Sequence, residues 1–175
     1  MPSIFKILKK DRLPGFLERL VGERQVFAPV KEGEVILIRE IDSPSQVILE
    51  YRNAKESPKS VVFPQRETLF RYRAEKGRAE VEVPSGAAKG RVLFGIRPCD
   101  ARGLLLLDKV FGGGCSDPYY TDKRRDTVVV GLGCADPNPS CFCLSMGGGP
   151  CSAEGSDVLL LDLGDSLAFR YSTIT

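Results

Sequence analysis

Three short runs in the second half of the chain, Arg91 to Ile96, Thr127 to Leu132 and Asp157 to Asp162, are apolar without alternation inside their polar end residues. Strands read this way when helices cover both of their faces, the condition of parallel strands in α/β sheets. Between the first two runs lies Ala101 to Phe111, a helical stretch with leucines from Leu104 to Leu107. Asp100 is its expected N-cap, and the glycines at 112 to 114 its stop. Strand, helix, strand, loop, strand predicts an α/β fold. The expected core is a partly parallel sheet with flanking helices and a cysteine-bearing loop edge at the strand carboxyl ends.

The first half is less regular. Leu13, Phe16, Leu17 and Leu20 recur at helical spacing, with Pro14 in the first turn and Gly22 as the end. Gln25 to Val30 and Val35 to Arg39 read as a hairpin turned at Lys31 to Glu34. From Asp42 to Arg66 a polar, proline-punctuated connection lies over the core. Glu67 to Tyr72 fits either a helical turn or the start of a strand, Glu80 to Val83 a short strand, and Leu167 to Ser172 a further strand. No repeat or composition shift divides the chain, so residues 1–175 are expected to form a single domain. A strand beginning so near the last residue suggests the N-terminal part of a longer protein.

A chain of 175 residues that is 42% hydrophobic can bury a core without disulfides, so its six cysteines are expected to do something else. The formal charge of +2 and the interleaving of acids with bases give no footprint for nucleic acid. No apolar stretch approaches the roughly 18 residues of a membrane span, and no secretory signal opens the sequence. A cytoplasmic location is the expectation, and in that reducing compartment these cysteines read as ligands or redox thiols. The absence of histidine excludes Zn–His sites, Ser-His-Asp triads and imidazole acid–base chemistry from this polypeptide.

Cys99, Cys134, Cys141 and Cys143 each sit in a Gly/Pro-rich turn that follows or adjoins an apolar run. Four thiolates mounted on such loops suit a tetrahedral sulfur-ligated centre, either iron–sulfur or zinc. Cys99 also opens a helix, where the dipole is expected to favour thiolate. Cys141 and Cys143 form a C-x-C pair ahead of Gly147, Gly148 and Gly149, whose amides are expected to point toward the cluster charge. Arg97 and Arg102 bracket Cys99 and are candidates to neutralise that charge. Cys115 and Cys151 are assigned to filler. Zinc ribbons usually present C-x2-C knuckles, and the chain has none. Neither glycine run leads into the Gly-Lys-Ser/Thr of a phosphate loop.

The string Phe94 to Asp100, with Arg97, Pro98 and Cys99 at its centre, is followed by Asp117-Pro118-Tyr119-Tyr120, Gly133-Cys134 and Cys141 to Gly147. Together with Tyr51-Arg52-Asn53 and Phe63 to Phe70, these residues resemble the N-terminal region of the β subunits of cytoplasmic NiFe hydrogenases (sulfhydrogenases) and of the related anaerobic sulfite reductase A subunit. The resemblance implies an iron–sulfur electron carrier that relays electrons between a flavin- and nicotinamide-binding subunit and the catalytic subunits, with no catalysis of its own. It implies a 4Fe-4S cluster on Cys99, Cys134, Cys141 and Cys143, with Arg97, Asp100, Gly133 and Gly147 around it. Members of the family continue into a ferredoxin-like segment with two more clusters on C-x2-C-x2-C-x3-C runs, and this sequence contains no such run. Two other readings stay open: a zinc-stabilised assembly module, and an α/β nucleotide- or flavin-binding domain.

Overall fold

A computed structural model describes residues 3–75, 77–83 and 89–172. The elements run β1 (Ser3–Lys9), α1 (Leu13–Glu23), β2 (Gln25–Glu32), β3 (Val35–Ile41), β4 (Arg71–Glu75), β5 (Arg78–Glu82), β6 (Arg91–Ile96), α2 (Pro98–Phe111), α3 (Pro118–Arg125), β7 (Thr127–Leu132), β8 (Val158–Asp162) and β9 (Ser166–Ser172). Seven strands form one sheet in the order β1-β9-β8-β7-β6-β2-β3, while β4 and β5 pair separately. The β2·β6, β6·β7 and β7·β8 pairs are parallel, and the outer pairs are antiparallel. The α/β expectation holds.

Both faces of the central strands are covered, which explains their unbroken apolar sequences. Leu13 and Leu17 of α1 pack with Val92, Phe94 and Leu160 on one face. Ala101 and Leu104 of α2 and Tyr120 of α3 pack with Leu93, Ile96 and Val129 on the other. Strict alternation would put Ile96 with Val92 and Phe94, but a bulge between Phe94 and Ile96 moves it to the α2 face. The bulge residue is Gly95 at φ +73°, a conformation that costs a glycine little. This shift aims the next residue, Arg97, back over the sheet edge toward Tyr51.

Several details differ from expectation. The N-cap of α2 is Arg97, with Pro98 in its first turn, so Asp100 lies inside the helix rather than capping it. A proline whose φ is already helical begins the helix earlier than the acidic residue does. Asp117 caps the start of α3: its carboxylate accepts from the backbone N–H of Tyr119 at 2.9 Å and of Tyr120 at 3.4 Å. Ile4 to Leu8, to which no strand was assigned, forms edge strand β1 on β9. Helix α1 runs through Gly22 to Glu23.

The β2–β3 hairpin turns at Gly33, whose φ is +61° and whose missing Cβ would meet nothing within 4 Å. Gly33→Ala should therefore cost only the left-handed backbone penalty, about 1–2 kcal/mol in urea unfolding. An unchanged midpoint would contradict the turn geometry.

Candidate metal centre

Strands β6 and β7 are parallel, so their carboxyl ends lie at one edge, where β6 runs into Cys99 and β7 into Cys134. Arg97 organises this edge. It is 6% exposed, and its guanidinium donates to the carbonyls of Arg52 at 3.0 Å, Leu132 at 3.4 Å and Gly133 at 2.9 Å. It also lies 4.1 Å over the Tyr51 ring, while the Tyr51 hydroxyl donates to the bulge carbonyl of Gly95 at 2.8 Å. Among the described residues no carboxylate stands within ion-pair distance of Arg97. A buried cation whose nearest acid, Asp100, is not ion-paired to it keeps much of its desolvation cost, so this edge favours negative charge.

Three thiols share the neighbourhood. Cys99 and Cys134 both act electrostatically on Tyr51, whose phenol is pushed up mainly by burial. Cys143 acts on Cys99. The expectation that the helix start favours Cys99 thiolate is reversed. Although Cys99 is exposed, partial desolvation of its sulfur and then the adjacent Asp100 push the thiol up, against the pull of backbone N–H groups. Asp100 itself is pushed up to about 6 by burial, with Arg97 opposing. Cys141 is exposed, and its backbone N–H donates to Asn138 at 2.9 Å. Among the described residues, no group of three or more Cys, Asp or Glu side chains stands close enough together to hold a metal ion. The thiols share an edge without forming a closed cage.

The glycine loop has a different role from the one expected. Backbone N–H groups of Met146, Gly147 and Gly148 donate to carbonyls of residues 142–144, which closes a compact turn and leaves these amides unavailable to a cluster. The glycines instead permit close approach to Arg102. A Cβ at Gly148 would lie 3.0 Å from Arg102 Nη1, and one at Gly147, where φ is +73°, 3.8 Å from Nη2. Arg102 Nη1 is buried with no hydrogen-bond partner, and its Nε is 3.4 Å from Glu154. Gly133 lies tight against β8, where a Cβ would sit 3.0 Å from Leu161 Cδ2.

Cys151, read as filler, has its sulfur 3.7 Å from that same Cβ position, and Cys134 N–H donates to Pro150 at 2.8 Å. It is thus a further thiol at this edge. Cys115 follows the far end of α2, a 14-residue helix that separates it from Cys99 by about 20 Å at 1.5 Å per residue. The sequence reading also overlooked Gly155. At φ +82°, its Cβ would collide with the Ala101 carbonyl in the first turn of α2. Gly155→Ala should destabilise by about 2–4 kcal/mol, from the left-handed backbone and the clash together. A thermal midpoint equal to that of the native chain would show that the returning loop does not rest on α2.

The donor set suits a soft, anionic centre. It is made of thiols alone, beside a buried guanidinium with no ion pair and a second guanidinium with an orphaned nitrogen. No helix among the described residues is long and apolar enough to cross a membrane.

Comparison with known proteins agrees with the resemblance carried by the motifs. Over 167 residues the chain is 30% identical to sulfhydrogenase 2 subunit beta of Pyrococcus furiosus, a match covering 95% of this chain and 48% of that subunit. It spans about half the length of the curated relative it matches. No family profile and no solved structure matches. Over nearly all of its length, therefore, the chain is similar to a hydrogenase β subunit.

Proposed function

We propose that this chain is an electron-transfer component of a hydrogenase-like oxidoreductase complex, holding a 4Fe-4S cluster through Cys99, Cys134, Cys141 and Cys143. It would connect a flavin- or nicotinamide-binding subunit with the catalytic subunits in the cytoplasm. The observation that carries this reading is that β6 and β7 deliver Cys99 and Cys134 to the one sheet edge that the buried Arg97 locks together, with Cys143 near enough to act on Cys99, in a chain without histidine. When bound, the cluster would accept and release single electrons, a task that needs ligands and shielding but no acid, base or nucleophile. The chain's own part is structural and electrostatic. Arg97 locks the ends of β6 and β7 to the Tyr51 segment and supplies positive charge. Arg102 seats the C-x-C loop against α2.

The test is metal analysis of anaerobically purified protein. Iron and acid-labile sulfide in equal amounts, near four of each per chain, with broad visible absorbance support the proposal. Zinc at one per chain in a colourless protein would replace it with the assembly module. A bound yellow chromophore without iron would replace it with the flavin-binding domain.

A further inference from the structure

Two guanidinium groups flank the cysteine edge, and they direct their donors differently. Arg97 aims its N–H groups at three main-chain carbonyls. Arg102 Nη1 is buried and, among the described residues, donates to nothing. Its Nε stands 3.4 Å from the exposed Glu154 carboxylate, a long, solvated contact that neutralises little of the charge. A buried N–H left without an acceptor is costly enough to require a reason.

The position of Arg102 supplies one. It lies three residues after Cys99 on α2, where side chains are neighbours and lean back toward the helix start. On its other side is the C-x-C loop, since a Cβ at Gly148 would be 3.0 Å from Arg102 Nη1 and 3.3 Å from the Cys143 carbonyl oxygen. That carbonyl already accepts from the N–H groups of Met146 and Gly148 and leaves Nη1 unserved. Cys143 is in turn near enough to act on Cys99. The orphaned donor therefore lies between the helix turn of one thiol and the loop of another, and sulfur is the acceptor still missing there. We infer that Arg102 sets the reduction potential of the proposed cluster by directing Nη1–H at its sulfur, while Glu154 moderates the charge of the same guanidinium. This deepens the proposed function and rests on it. Donation to cluster sulfur and nearby positive charge both favour the reduced, more negative form, so they raise the potential.

The experiment measures iron content and the one-electron midpoint of the anaerobically purified chain by EPR-monitored titration, with dithionite supplying the electron. Arg102→Gln should lower the midpoint by about 59 mV or more, a tenfold change in the reduction equilibrium for one electron. Arg102→Lys keeps the charge but not the planar fork of donors, and should lower it less. Glu154→Gln should move the midpoint the opposite way, upward. Glu154 is exposed and supports no core, so this variant reports whether or not Arg102→Gln retains its iron. A residue that only props up the loop would change iron retention or the thermal midpoint in Arg102→Gln and leave the potential of Glu154→Gln at the native value. An unchanged potential in Glu154→Gln, or in iron-loaded Arg102→Gln, would overturn the inference and leave the proposed function standing. An iron-free native chain would refute the proposed function, and the inference would fall with it.

Discussion

Cys143→Ser is expected to strip most of the iron from anaerobically prepared protein, and Cys115→Ser to leave it intact. Serine keeps the shape of cysteine but replaces a soft, readily ionised sulfur with a hard oxygen whose proton is not lost near neutral pH, so it makes a poor iron ligand. Cys143 is half-buried and close enough to act on Cys99, so its loss removes a donor from the centre of the group. Cys115 sits in an exposed glycine turn at the opposite end of α2. Cys141→Ser should behave as Cys143→Ser does. Cys151→Ser decides between two ligand sets, because Cys151 and Cys141 are both exposed and Cys151 stands beside the Gly133 backbone. Loss of iron on Cys151→Ser with retention on Cys141→Ser would move the fourth ligand from 141 to 151. Equal loss from Cys115→Ser would show that iron binding does not depend on this edge at all.

What could be read from the sequence follows from how far each signal is local. The runs at 91–96, 127–132 and 157–162 are apolar inside their polar end residues because both faces of the central strands are covered, so composition alone marks them as central strands. β1 is different. It lies at the sheet edge with Lys6 and Lys9 in it, and edge strands carry such charges to discourage further pairing, which weakens the apolar pattern. The start of α3 was hidden because Asp followed by Pro opens turns and helices alike. The cysteines were visible as candidates, but not the groups that relate them. Tyr51 lies 46 residues before Arg97 in sequence and touches it only because the bulge at Gly95 turns the strand. Gly155 shows its need for glycine only where the loop returns over Ala101. The amides of the glycine loop looked available to a cluster because sequence cannot reveal that residues 142–144 already accept from them. The helix-start argument for a Cys99 thiolate fails for a related reason: partial desolvation beside Asp100 outweighs the N–H groups, and desolvation is a property of the packed fold.

Arg97→Ala is expected to be the most damaging single change at this edge, lowering unfolding stability by about 2–4 kcal/mol and iron content most of all. Two contributions act against each other. The carbonyls of Arg52 and Gly133 lose their donor, at about 1–3 kcal/mol for each polar group left buried and unsatisfied. The Tyr51 ring loses a cation worth about 0.5–2 kcal/mol. In the opposite direction, the interior no longer holds an unpaired guanidinium, which recovers part of a desolvation cost of several kcal/mol. In the metal-free chain these partly offset, which sets the modest range. With an anionic thiolate centre bound, the cation has its counter-charge, the offset disappears, and the substitution should weaken metal retention more than it weakens the fold. Arg97→Lys separates charge from geometry, since an ammonium keeps the positive charge but cannot make the planar fork across three carbonyls. Urea midpoints should therefore fall for both variants, while iron per chain should fall sharply for Ala and much less for Lys. Equal iron in the native, Lys and Ala chains would mean that the buried cation serves the fold alone, and that the negative charge it favours lies elsewhere.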